Sequence, residues 1–557
     1  MTRHLGVWTA LLVGVTTAAG CGSSGRNSSF DDAPPAGTDP GTTPGEDGGG
    51  PTGPNFGTTD DGLTVDPLNA VVFIDTATTP VTPATLSYKV KLKQGGTETD
   101  LTSGATFELA DKALGTFAGP TFTSVTTLPG GLPGATTFVK VDTGQHKGQA
   151  SLTVVALRKT GDNRDFFFLE PYKQPPSPSN DVLKFSTKIQ KVDVAFVTDT
   201  TGSMGGSITN LRSALTGTIV PALTAAIPSV HMAVVDHKDF PYGSYGDFSD
   251  FPVRVYQVMT PTVSLVSAGI NKYNASGGFD GPESQIPAMQ HTLTGEAISW
   301  PGGTVPAHTP PAGLWGGVDF RDGSVPVIVL ITDVSWHDDY TFPHPTMGTL
   351  QAAFKARNAK FVDITNFDEG QANVLSDATS SNVPPSAFGP ASTCPTGVGG
   401  AARGATGPGG TCRLNFLHSG GSGVSTGITK AIQAISVGST YDVTAKPSND
   451  PTNADGVDAT KFMKALRAKD EGDATQGCPP AAAKDSDGDG IKDTFLAVKV
   501  GTPVCFEVIP QQNDTVPPKN VVQFFNAYID VLGLPGNINL DKRIVKFLVP
   551  PAGVQTK

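Results

Sequence analysis

The sequence is poor in charge, in cysteine and in long apolar runs, and each shortage excludes something. Charged residues make up only 16% of its 557 positions, and acids outnumber bases by 51 to 39 for a net charge of −12. A surface of that sign lacks the clustered Lys and Arg that a phosphate backbone needs, so nucleic acid is excluded as a partner. Five cysteines are too few for a disulfide-dense scaffold, and none forms the C-x-x-C pair of a zinc ribbon. No apolar stretch reaches the roughly 20 residues of a membrane-spanning helix. What is abundant is glycine (66) and proline (46), about a fifth of the chain. Average proteins carry roughly 12% of the two together. A hydrophobic content of 38% still supplies buried cores. The length suggests about three or four domains, and sparse charge among Thr, Ser, Gly and Pro fits secreted β-rich modules.

The first residues read as an address. Arg3 and His4 precede an apolar stretch from Leu5 to Val15, too short to span a bilayer and suited to a signal-peptide core over residues 1–20. Ala18, Ala19 and Gly20 then lead into Cys21. This resembles the lipobox of bacterial lipoproteins, with Ala18 where that motif prefers Leu. The resemblance implies that Cys21 carries the lipid and becomes the first mature residue. Residues 21–60, rich in Gly, Pro, Thr and Ser, have almost nothing to bury and read as a disordered tether. Gly22 after the cysteine is similar to the outer-membrane-sorted class. The expected location is therefore the bacterial cell envelope, lipid-anchored, at the outer membrane or cell surface. With Cys21 set aside, Cys394, Cys412, Cys478 and Cys505 suggest two disulfides. Three pairings are open, and nearest neighbours are the simplest.

Three folded regions follow. Residues 61–165 alternate apolar and polar residues in short runs such as Leu86–Leu92 and Ala150–Ala156, separated by Gly-rich turns, the pattern of a β-sandwich. The order of these runs resembles bacterial Ig-like domains of surface adhesins. Residues 190–437 alternate strand-like and helical runs. Val192–Val197, His231–Val235, Val253–Val258, Val325–Ile331 and Lys360–Thr365 read as strands; Ile208, Leu211, Leu215 and Ile219 recur at helical spacing, as do Val424, Ile428, Ile432 and Ile435. Such alternation predicts a doubly wound α/β sheet, with ligands beyond the carboxyl ends of the strands. Residues 440–557 return to strand patterns and predict a second sandwich, which the stretch Val182–Ile189 can join. The fold class expected is multidomain: an α/β doubly wound domain flanked by all-β sandwiches.

Chemistry is concentrated at the strand ends. The first α/β strand runs into Thr198-Asp-Thr-Thr-Gly-Ser-Met204, which places Asp199, Thr201 and Ser203 at alternate positions before a helix. One carboxylate and two hydroxyls on such a turn suit a hard divalent ion and leave it under-neutralised. The motif resembles the metal-ion-dependent adhesion site (MIDAS) of von Willebrand factor type A domains. Two later segments extend the likeness. Gly277-Gly-Phe-Asp-Gly-Pro-Glu283 is similar to the D-x-P-E loop of integrin β I-like domains, and Leu330-Ile-Thr-Asp333 resembles the family's strand-4 aspartate. The resemblance covers about 250 residues. It implies Mg²⁺, Ca²⁺ or Mn²⁺ held by Asp199, Thr201, Ser203 and Glu283, with Asp333 in support. It also implies a protein ligand that offers an acidic residue to the open coordination position. Where that family builds an adjacent site, this chain has Gly206 and Ser207, so that site is not expected. Asp239 and Asp280 remain candidates for a further accessory ion, although Gly278 stands where the family has Asn.

Other features are less specific. Asp485-Ser-Asp-Gly-Asp-Gly-Ile-Lys-Asp493 puts Asp485, Asp487, Asp489 and Asp493 at positions 1, 3, 5 and 9 of a Ca²⁺-type loop, with the Ile491 carbonyl as a further candidate ligand. Leu496 replaces the EF-hand Glu, and the loop looks like thrombospondin type 3 repeats. Trp336 and Tyr340 either face a partner beside the metal or pack against neighbouring loops. Cys394 and Cys412 bracket a Gly-rich loop over 394–412. His337, Asp338 and His344 could be imagined as a catalytic or zinc cluster, and His237 or His337 as the base of a hydrolase, but no nucleophile–base spacing accompanies them. The expectation is a non-enzymatic, adhesion-type surface protein anchored to the membrane only through its lipid. The alternatives are a structural or assembly component of an envelope complex and, behind it, a metal-dependent hydrolase.

Overall fold

Strands outnumber helices along the chain and gather into several separate sheets. A computed structural model describes residues 62–161, 164–390, 393–519 and 522–551. The leader, Cys21 and the tether lie outside the described residues. From Thr58 onward the chain forms one unit. No helix among the described residues is long and apolar enough to cross a membrane.

The first region is all β. Asn69–Asp75, Lys147–Leu157, Gly134–Asp142 and Thr106–Leu109 form a four-stranded sheet in that order, with the first pair parallel. Two three-stranded sheets complete the region. The period-2 pattern of the sequence has a direct cause here: Val139 and Val141, then Ala150, Leu152 and Val154, point alternately inward and meet Ile74, Tyr88, Val90 and Phe122 in one core.

The second β region is assembled from two distant parts of the chain. Phe166–Leu169 adds in parallel to Ile538–Val549 at the edge of a six-stranded sheet. Asp181–Phe185 pairs antiparallel with Val504–Pro510, which also pairs with Met463–Ala468. Residues 191–438 are therefore inserted between two strands of one sandwich. Both junctions are fastened to the same turn. Val500 N donates to Ser439 O at 3.0 Å, Gly501 N donates to Thr187 Oγ1 at 2.9 Å, and Thr187 Oγ1 donates to Thr502 O at 2.8 Å.

The inserted region is built on a six-stranded sheet ordered Arg254–Thr260, Ser229–His237, Lys191–Asp199, Val325–Ile331, Lys360–Thr365 and Asn415–Leu417. All neighbours are parallel except the first pair. Its central strands read as near-continuous apolar runs because both faces are covered. Val192, Val194 and Phe196 face Ile208, Leu211, Val424, Ile428 and Ile432 on one side. Ala195, Val197, Ile328 and Leu330 face Ile286, Met289, Leu350 and Phe354 on the other. Parallel strands all end on one edge, and Asp199, His237 and Ile331 are the last residues of adjacent ones. That edge carries the candidate site.

The four cysteines pair as neighbours, Cys394 with Cys412 and Cys478 with Cys505.

Candidate functional site

Asp199 is wholly buried at the carboxyl end of its strand. Its Oδ1 accepts hydrogen bonds from the Thr201 N–H at 2.9 Å and the Thr201 hydroxyl at 2.7 Å. Its Oδ2 accepts from the Thr332 hydroxyl at 3.0 Å, which in turn accepts from Gln285 Nε2 at 2.9 Å. The chain then turns through Gly202–Met204 into the helix Gly205–Ala214. Ser203 is exposed on that turn, and its hydroxyl donates to Asp333 Oδ1 at 2.9 Å. Thr201 and Ser203 thus carry the two hydroxyls onto the carboxylates at this sheet edge.

Glu283 arrives from a different loop, just ahead of the helix Gln285–Thr294. Two backbone bonds fix it to the segment after Asp333: Glu283 N donates to Ser335 O at 3.1 Å, and His337 N donates to Glu283 O at 2.9 Å. The loop is stitched to the Asp199 turn as well, since Gly202 N donates to Gly277 O at 3.2 Å. Gly278 is required where it stands. Its φ is +78°, and a Cβ there would lie 2.8 Å from Glu283 Oε1 and 3.2 Å from Thr201 Cβ. The Asn that the resemblance would place at 278 does not fit.

The carboxyls at this edge are buried and crowd one another. Burial, then the neighbouring Asp199, Asp239, Asp250 and Asp280, push the Glu283 carboxyl up to about 10. Its Oε2 is buried with no hydrogen-bond partner among the described residues. Burial also raises Asp199 against the pull of Thr201 and Thr332, and burial followed by Asp199 raises Asp333. Lys238 is a buried counter-charge. Its Nζ donates to Thr200 O at 2.6 Å and to the Ser276 carbonyl, and burial pulls it below the usual lysine value despite the surrounding carboxylates. Desolvated carboxyls of like charge raise one another's proton affinity and are costly to ionise unless a cation compensates them.

Among the described residues, two groups of three acidic or imidazole side chains bring ligand atoms within 4.8 Å of one another. They are Asp239, Asp280 and His337, and Asp485, Asp487 and Asp489. Asp199, Glu283 and Asp333 are not among these groups; hydroxyls lie between them. Asp239 and Asp280 lie close together, with His337 as their third neighbour. Asp239 is buried and pushed up to about 7, with burial the largest cause and the Tyr340 hydroxyl opposing it.

The loop between Ala483–Lys484 and Thr494–Lys499 closes a hairpin. Asp485 accepts from Gly488 N at 2.7 Å and Gly490 N at 2.8 Å, and Asp489 accepts from Ile491 N at 2.7 Å. Asp493 instead accepts from the Ser486 N–H and hydroxyl, at 3.1 and 2.7 Å, so it is engaged with Ser486.

Of the two arrangements open for the aromatic rim, the packed one is found. Trp336 and Tyr340 are each only 6% exposed. Trp336 packs edge-on against Phe361, and Tyr340 against Phe240 and Tyr245. Exposed aromatics of these loops include Tyr242 (38%), Phe248 (92%) and Phe279 (70%), the last inside the loop that carries Glu283. A histidine cluster does not form either. His237 is wholly buried, and burial pulls it down to about 4. His344 Nδ1 lies 2.7 Å from the Phe342 carbonyl, and Asp338 accepts from Met347 N at 3.1 Å. Gly206 leaves no room for an acidic side chain, because a Cβ there would sit 2.6 Å from the Gly420 carbonyl.

Thr332, Lys238, Asp250 and Gln285 were missed by sequence reasoning. Only Lys238 and Thr332 carry a signal, since each sits beside a strand-end aspartate in the chain.

No protein-family model matches the chain, and no curated protein does. Among solved structures, the open conformation of the pilus adhesin SpaC from Lactobacillus rhamnosus GG is 12% identical, with 71% of this chain and 49% of that chain covered and a TM-score of 0.25. Proximal thread matrix protein 1 from the mussel byssus is also 12% identical, with 47% and 50% covered and a TM-score of 0.25. The chain spans about half the length of each. At that score neither likeness defines a shared fold.

Proposed function

We propose that residues 190–437 form a doubly wound von Willebrand factor type A domain whose divalent cation receives an acidic group from a protein or matrix partner. One observation carries this reading. Asp199, Thr201 and Ser203 at one strand end, Asp333 after the next, and a buried Glu283 with an unpartnered oxygen all occupy the carboxyl edge of the parallel sheet. Asp199, Thr201, Ser203 and Glu283 hold Mg²⁺, Ca²⁺ or Mn²⁺, with Asp333 in support through Ser203. Two hydroxyls among the ligands leave the ion electrophilic, so an external carboxylate completes its shell. Exposed Phe248 and Phe279 supply apolar contact area near that shell.

The chain acts from a lipid on Cys21, through the tether, at the bacterial envelope. The Asp485–Asp489 hairpin takes Ca²⁺ in a structural role, consistent with its place on a hairpin of the β region.

The test is capture from cell-envelope extracts by the immobilised protein, with Mg²⁺ or with chelator, for the wild type and for Asp199→Ala. Capture that needs Mg²⁺ and is lost in the variant supports the reading. Capture indifferent to both removes it.

A further inference from the structure

We propose that Asp239, Asp280 and His337 form a second cation site, separate from Asp199, whose imidazole ligand selects a transition ion such as Zn²⁺ over Mg²⁺ or Ca²⁺. This site is independent of any ion at Asp199.

Each ligand is held from behind. Asp239 follows the strand Ser229–His237 and is wholly buried. Its Oδ1 accepts from the Tyr340 hydroxyl at 2.5 Å and from Phe240 N at 2.6 Å. Those two bonds orient the carboxylate and leave Oδ2 buried without a hydrogen-bond partner. His337 is buried too, with Nδ1 2.7 Å from Asp339 Oδ1. An Nδ1–H donated to that carboxylate sets the tautomer and leaves the Nε2 lone pair free as a ligand. Tyr245 and Tyr340 flank the ring at 5.1 and 4.7 Å between centroids. Asp280 comes from the exposed loop, its side chain one-third accessible, and gives an ion a way in from solvent.

The spacing fits one ion. His337 Nε2 is 3.2 Å from Asp280 Oδ2 and 3.4 Å from Asp239 Oδ2. Bonds of about 2.0–2.2 Å to imidazole and carboxylate put adjacent ligands roughly 3.0–3.5 Å apart. Two carboxylates neutralise a divalent charge. Mg²⁺ and Ca²⁺ prefer shells made of oxygen, whereas imidazole with carboxylate suits Zn²⁺ and its neighbours. The competing arrangement is a protonated His337 in a pure ion-pair cluster. There one Nε2–H is shared between Asp280 Oδ2 at 3.2 Å and Asp239 Oδ2 at 3.4 Å, so the buried Asp239 oxygen gains only a long, weak contact.

The experiment uses the full chain, stripped with chelator and dialysed against Zn²⁺. Bound metal is measured by elemental analysis, and the zinc-edge X-ray absorption spectrum is recorded. The expected result is a tightly bound zinc with imidazole in its first shell. Affinity should fall at least ten-fold in His337→Gln and Asp280→Asn, about ten-fold in Asp339→Asn, and stay unchanged in Asp199→Ala. Circular dichroism checks that each variant folds, and the wild-type spectrum decides even if one does not. A zinc spectrum without imidazole scattering overturns the proposal. So does zinc affinity unchanged in folded His337→Gln, which leaves only the ion-pair cluster. Loss in Asp199→Ala with retention in His337→Gln would move the ion to the first site.

Discussion

Glu283 shows most clearly what the sheet edge requires. Its carboxyl is buried, repelled by neighbouring carboxylates and raised to about 10 from an ordinary value of 4.5. A carboxyl raised on folding contributes stability that is complete below the unfolded value and is lost as pH rises through the folded one. In chelator, therefore, the wild type should lose thermal stability steadily between about pH 5 and 10. Glu283→Gln should flatten that loss and be more stable at pH 8 by a few kcal/mol, roughly the cost of keeping the wild-type carboxyl protonated above its unfolded value. Millimolar Mg²⁺ should reverse the order, raising the melting temperature of the wild type but not of the variant. At this scale the sequence is informative where the candidate residues are close in the chain. Asp199, Thr201 and Ser203 are legible because a strand-to-helix turn puts alternate residues on one side. His337 was legible only as a loop histidine, because its pairing with Asp280 across 57 residues exists only once two loops are stitched together. Trp336 and Tyr340 were ambiguous for the same reason: an aromatic in a loop looks alike whether the loop folds over it or not.

At the scale of elements, periodicity carried much of the reading. The apolar run Val325–Ile331 is a strand covered on both faces, and Val424, Ile428, Ile432 and Ile435 line one side of the helix Val424–Gly438. The short strands within long loops, such as Ile298–Trp300 and Gly303–Val305, gave no such signal, because a few residues do not establish a period. Two elements invite direct tests. Gly278→Ala should strain a residue at φ +78° and press on Glu283. Mg²⁺ affinity by calorimetry should fall at least ten-fold in this variant while circular dichroism stays unchanged. The Cys394–Cys412 bridge spans 18 residues of Gly-rich chain. Replacing both cysteines by Ser should cost about 2–4 kcal/mol in denaturant unfolding, as expected for a loop of that length.

At the scale of the whole molecule, the notable feature is an α/β region inserted into a β-sandwich with both junctions fastened to the turn at Lys499–Thr502. The strand Asp181–Phe185 pairs with Val504–Pro510 across more than 300 residues. The partnership of Phe166–Leu169 with Ile538–Val549 was not legible, since register between distant strands is set by packing rather than by local pattern. Because entry and exit lie at one turn, replacing residues 191–438 by a short Gly-Ser linker should leave the sandwich folded. Protection of the Gln523–Leu534 and Ile538–Val549 amides in hydrogen exchange checks this. The central claim, a cation held at the sheet edge, is tested most directly by anomalous diffraction from crystals soaked in Mn²⁺. The account predicts a peak within coordination distance of Thr201 Oγ1, Ser203 Oγ and Glu283, absent in Asp199→Ala. Crystals saturated with Mn²⁺ that show no peak beside those oxygens would contradict it.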